Sequence, residues 1–153
     1  MKLQTTLLAV SDLDKSIEFY HNIFDQEVTL DLGWCKTLSG GFTIQLNFDI
    51  LAGFDKDSII KKSHNMELYF DTDDFDGFIE KLSRYNIQYV HPPKKYEWQQ
   101  RVVRIYDPDY HIIEIGESMG SIVKRYRKDG YSIEETAKIV QHPVEFVKPF
   151  FEE

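Results

Sequence analysis

Apolar and polar positions along this chain follow two different periods, and the switches between them mark its elements. Residues 3–10 are apolar and rich in strand formers; after Ser11-Asp12, Leu13, Ile17, Tyr20 and Phe24 recur at helical spacing. This predicts a strand and then an amphipathic helix, with Ser11 or Asp12 accepting from the free N–H groups of its first turn. Two short strands follow at about 28–32 and 34–38, broken at Gly33, with a turn at Ser39-Gly40-Gly41. Over residues 42–48 apolar and polar residues alternate without a fault. A strand there places Phe42, Ile44, Leu46 and Phe48 on a core face and Thr43, Gln45 and Asn47 on the other. Residues 49–63 read as a linker.

The pattern then starts again. Residues 67–71 are a strand, Asp73 or Asp74 caps a helix, and Phe75, Phe78, Ile79 and Leu82 form its buried stripe. A strand at 87–90, a turn at His91-Pro92-Pro93, a strand at 101–106, the turn Asp107-Pro108-Asp109-Tyr110 and a last strand at 111–116 complete the half. Laying residues 10–14 over residues 72–76 also brings Ile17 onto Ile79 and Thr5 onto Glu67. The expected fold is α+β: two tandem βαβββ modules with curled antiparallel or mixed sheets forming a cleft. Module one is 1–48 and module two 64–117, within one domain of residues 1–117. Residues 118–153 form a helical extension with stretches at 118–128, 132–141 and 143–152. A capping box of Ser132 with Glu135, a stop at Gly130 and Pro143 at the start of the last helix punctuate it.

Composition narrows the classes. Aromatic residues are 14% of the chain and charged residues 29%, an ordinary globular balance that argues against disorder. No apolar run reaches the about 18–20 residues of a membrane span, and the first ten residues lack a signal-peptide pattern, so a cytoplasmic protein is expected. Cys35 is the single cysteine and reads as a half-buried strand thiol. The net charge of −8 lies in residues 1–117, because the extension carries equal numbers of acidic and basic side chains. Such a body repels phosphate backbones, so no nucleic-acid partner is expected.

The segments VSDLDKSIEFY, FDTDDFDGFIEKL and RIYDPDYHIIEI resemble the glyoxalase I, bleomycin-resistance and extradiol-dioxygenase superfamily, the vicinal-oxygen-chelate fold. DPDYHIIEI is the most specific piece, with Tyr110 where the family usually has glycine, so either the turn differs or Tyr110 carries a positive φ. The resemblance implies four pocket positions on the first and last strands of each module: Thr5, Gln45, Glu67 and Glu114. Strand alternation agrees for Gln45, Glu67 and Glu114, polar residues beside apolar ones.

The resemblance implies two chemistries for these positions. In one, Gln45, Glu67 and Glu114 hold a divalent metal such as Mn, Mg, Ni or Zn, and Glu67 or Glu114 moves a proton, giving a lyase or isomerase of the lactoylglutathione lyase type. The set lacks imidazole, and Thr5 is a feeble ligand, so the leading expectation is a small-molecule-binding protein without a tightly bound metal. Two glutamates facing across an apolar cleft would suit a cationic ligand. Asn47, Tyr69, Trp98, Arg101 and Arg104 are further candidate ligand-binding residues. The extension has the spacing of a small helix-turn-helix, but Glu145 and Glu152-Glu153 on its last helix would face phosphates. Its apolar residues, among them Ile133, Ala137, Val140 and Val147, are expected instead to cover a sheet edge or a second subunit, giving a homodimer.

Overall fold

The computed structural model of the chain describes residues 1–152, so Glu153 of the extension lies outside the described residues. Strand β1 (Leu7–Val10) leads into α1 (Leu13–Phe24), whose first turn is capped by the Asp12 carboxylate accepting from Lys15 N. Strands β2 (Val28–Asp31), β3 (Cys35–Leu38) and β4 (Thr43–Leu46) follow, then the short helix α2 (Phe48–Ala52) and a 3-10 turn at Lys56–Ser58. The second half runs β5 (Glu67–Thr72), α3 (Phe75–Leu82), β6 (Tyr89–Lys95), β7 (Arg101–Tyr106) and β8 (Ile112–Glu117). Helices α4 (Met119–Lys128), α5 (Ile133–Val140), α6 (Val144–Val147) and α7 (Pro149–Glu152) close the chain.

The internal repeat is borne out strand for strand. One four-stranded sheet has the order β1-β4-β3-β2 and the other β5-β8-β7-β6, so each half sets its first strand beside its last. In the first sheet β1 pairs with β4 in parallel, Leu8 opposite Ile44, while β3 pairs antiparallel with β4 and with β2. Both are mixed, uncurled sheets rather than the curled ones expected. The first is built from strands of four residues, too short to accumulate much twist.

Three expectations are corrected. The alternating stretch ends at Leu46, because Asn47 takes a left-handed φ of 54° and Phe48 opens α2. Both faces of β4 are covered: Ile44 is buried, and so are Thr43 and Gln45. Pro92 and Pro93 lie inside β6 instead of a turn, which is tolerated because β6 is the edge strand, where a missing N–H breaks no ladder. The presumed linker contains α2 and the 3-10 turn.

The described residues fall into two compact units. The first takes Met1–Glu67 and Tyr106–Ile112; the second takes Leu68–Ile105 and the chain from Ile113 onward. In the first, Leu8, Val10, Tyr20, Ile23 and Ile44 are buried; in the second, Leu82, Val102, Val103, Ile105, Ile113 and Ile115 are. The extension makes a small core of its own, with Ile122, Val123, Ala137, Val140 and Val147 packed against Met119, Tyr126, Ile133, Phe150 and Phe151. Ser118 caps α4 and donates to Asp73 Oδ1, tying that helix to the end of β5. The capping box of Ser132 and Glu135 is formed. Among the described residues no helix is long and apolar enough to cross a membrane.

Candidate functional site

In the first unit, Asp107 opens the turn between β7 and β8, and its buried carboxylate takes four donors. Oδ1 accepts from Asp109 N at 2.9 Å and His111 N at 2.8 Å; Oδ2 accepts from the Tyr20 hydroxyl at 2.9 Å and faces His111 Nδ1 at 2.8 Å. Asp109, also buried, accepts from Ser11 N at 2.9 Å, from the Ser11 hydroxyl at 2.7 Å and from Lys61 Nζ at 3.0 Å. Burial pushes the Asp109 carboxyl up, but the Ser11 donors and the Lys61 ammonium outweigh it and hold the group below the ordinary carboxylate value. Tyr110, the departure from glycine, has φ 69°: the turn keeps its left-handed residue in spite of the side chain.

Asp109, Tyr110 and His111 of this turn form one wall of a cavity of about 210 Å³, with Asp107 behind them holding Asp109 N and His111. The ends of β1 and β4, the start of α2 and the segment from Lys56 to His64 supply the rest. Apolar lining comes from Leu46, Phe48, Ile59, Ile60 and Met66, and charged lining from Lys56, Lys61, Lys62, Asp49 and Asp109. Of the seven non-glycine residues with positive φ among the described residues, Asn47, Lys62, His64 and Tyr110 line this one cavity. Left-handed backbone costs an ordinary side chain roughly 1–2 kcal/mol, and such residues gather where a fold holds a site in shape.

The residues singled out in the sequence have the following places. In the first unit, the Thr5 hydroxyl lies 3.0 Å from Gly41 O and 3.0 Å from Thr43 Oγ1. Gln45 is buried with Nε2 donating to Leu46 O at 2.6 Å, Asn47 lines the cavity, and Glu67 is exposed at the start of β5. In the second unit, Glu114 pairs with Arg104, whose Nη1 also donates to Tyr96 Oη at 2.8 Å. Tyr69 and Trp98 meet through Gln100, whose Nε2 donates to Tyr69 Oη at 3.0 Å and whose Oε1 accepts from Trp98 Nε1 at 2.9 Å. A Cβ on Gly116 would stand 2.6 Å from Gln100 Nε2, so this network needs a glycine in β8. Arg101 reaches Glu117 at 3.1 Å and Asp76 at 2.7 Å, and Arg125 reaches Glu117 at 2.6 Å. Burial raises the Glu117 carboxyl, and the two guanidinium groups together bring it below its ordinary value.

This donor set does not fit a divalent metal. Glu114 already answers a guanidinium, and among the described residues no three His, Cys, Asp or Glu side chains are grouped to hold an ion. The cavity groups were missed because their partners are distant in sequence; the signals present were the DPDYH turn and the Ile-Ile-Lys-Lys run at 59–62.

A family model described as the glyoxalase-like domain matches residues 3–120. The chain belongs to that family. Among solved structures, the glyoxalase-like chain resembles a protein of unknown function from Agrobacterium tumefaciens str. C58, at 30% identity and TM-score 0.67, covering 78% of this chain and 95% of that one. A fosfomycin resistance protein from Listeria monocytogenes shares the fold at 22% identity and TM-score 0.58, with 78% and 94% covered. So does a glyoxalase/bleomycin resistance protein/dioxygenase family enzyme from Burkholderia phytofirmans PsJN, at 15% identity and TM-score 0.63, with 74% and 96% covered. The superfamily read from DPDYHIIEI is thereby established.

Proposed function

We propose that this glyoxalase-like protein binds a small organic molecule in the cavity of its first unit, without a tightly held metal. The observation that supports this reading is the coincidence of buried carboxylate contacts, from Asp109 in the lining and Asp107 behind it, with left-handed residues along that lining. Strain and buried charge are both costly, and a fold that concentrates them around one cavity is shaped to bind there. The volume of about 210 Å³ is below the roughly 300–1,000 Å³ typical of drug-sized ligands, so the occupant is small.

The test is a thermal-shift screen of small metabolite-like compounds, followed by amide chemical-shift mapping of each hit. A ligand at about a hundredfold over its dissociation constant stabilises by about 2.7 kcal/mol. Shifts centred on Ser11, Lys62 and Tyr110, abolished when Ala9→Phe fills the space, are the expected result. A hit that leaves those amides still and is lost in Glu114→Ala would overturn the reading and return the site to Gln45, Glu67 and Glu114.

A further inference from the structure

The cavity's own chemistry narrows the ligand class, an inference that rests on the cavity being the binding site. Of its lysines, Lys61 is spent on Asp109, whose carboxylate is also occupied by both Ser11 donors. Lys62 is different. Its ammonium stands 4.6 Å from the centre of the Tyr110 ring and 5.2 Å from that of Tyr106, and among the described residues it has no carboxylate partner. An ammonium over two aromatic faces is attracted by both rings, which set its position. With Lys56 also lining the space and Asp49 the one other carboxylate there, the lining carries an excess of positive charge.

The second available group is His111. All four acceptor sites of Asp107 are used, and an ionised carboxylate only accepts, so the proton of His111 must sit on Nδ1. In the imidazole form Nε2 is then the acceptor, and among the described residues nothing donates to it. The two serine hydroxyls of the lining are already committed, Ser11 to Asp109 and Ser63 to Asn65 Oδ1. Among the described residues the lining thus offers Lys62 and Lys56 as cations with no carboxylate partner, Nε2 of His111 as an acceptor, and an apolar wall.

We propose that the ligand is a small organic anion that also carries a hydrogen-bond donor, in its simplest form a hydroxycarboxylate. Its carboxylate meets the Lys62 ammonium, its hydroxyl donates to His111 Nε2, and a short hydrocarbon body lies against Phe48, Ile59 and Ile60. The basic lining opposes the cationic ligand that Glu67 and Glu114 suggested.

Calorimetry and amide mapping at pH 8 in low salt, with 2-hydroxyhexanoate, hexanoate, hexane-1,2-diol and hexylamine as probes, test this. The hydroxy acid should bind at least tenfold more tightly than the diol or the amine. Lys62→Met should remove that advantage, and Lys62→Arg should restore most of it. His111→Phe should bring the hydroxy acid down to the level of hexanoate measured on the same variant. Diol or amine binding as tight as the hydroxy acid, with shifts at Ser11 and Tyr110, would overturn the anion assignment yet leave the cavity as the site. Failure of all four probes to move those amides would also overturn the ligand class. Binding of the acid with shifts confined to the second unit would sink the cavity reading itself.

Discussion

Replacing Tyr20 with phenylalanine isolates one buried hydrogen bond. Tyr20 is fully buried on α1, its ring packed at 4.9 Å from that of Phe42 and edge-on to Phe19, so Tyr20→Phe keeps the packing and deletes only the hydroxyl. That hydroxyl donates to Asp107 Oδ2 at 2.9 Å. A hydrogen bond to a charged acceptor contributes about 1.5–3 kcal/mol, and Asp107 keeps its other three donors, so the loss belongs at the low end, about 1.5–2 kcal/mol. For a chain of this size that is about 3–8 °C in Tm, with an unchanged denaturant slope. A second readout comes from alkali. Burial first, and then the Asp107 charge, push the Tyr20 phenol well above its ordinary value. The folded state therefore holds that proton more tightly than the unfolded chain, and the stability this gives is complete below about pH 10 and lost as pH rises further. Urea melts of both proteins between pH 7 and 11 should show the variant weaker at pH 7 but with a shallower alkaline decline. Equal stability at pH 7, or parallel alkaline declines, would refute the assignment of this bond.

Three other outcomes follow from the same structure. Glu117→Gln should cost about 1–2 kcal/mol at pH 7, since the carboxylate is buried while Arg101 and Arg125 are partly solvated and keep water as a partner. Because the folded carboxyl lies below its ordinary value, the wild type loses this stability only as pH falls below about 4.3, and the two melting curves should converge there. Asp109→Asn should likewise flatten the acid limb and, by releasing Lys61, raise amide exchange between Lys56 and His64; exchange as slow as in the wild type would show that the segment is held by other contacts. Tyr110→Gly should leave Tm within a few degrees, because relief of roughly 1 kcal/mol of left-handed strain offsets the entropy of a new glycine, whereas a drop beyond about 8 °C would mean that the ring dominates.

The elements whose cause is local could be read in advance. The helical spacing of Leu13, Ile17, Tyr20 and Phe24, the Asp12 and Asp74 caps and the Ser132–Glu135 box each depend on residues within a turn of one another, and all are present. The duplication was legible because its two copies share strand, cap and stripe. Strand parity at residues 42–48 misled at its end because alternation does not register a backbone reversal at Asn47. The cavity was illegible for another reason. Ser11, Lys61 and Asp109 acquire meaning only through one another, and no local pattern distinguishes a lysine paired to Asp109 from its neighbour left over two rings.

The Asp107–Tyr110 turn belongs to the compact unit built mainly from the first 67 residues, although it is translated much later. A nascent chain that has emerged only as far as Glu67 would therefore carry a tyrosine hydroxyl in its interior with no acceptor and a Ser11 amide with no counterpart. The amino-terminal half is thus obliged to wait for the ribosome to deliver the second, and expression of residues 1–67 by themselves should yield a protease-sensitive fragment rather than a miniature of the whole.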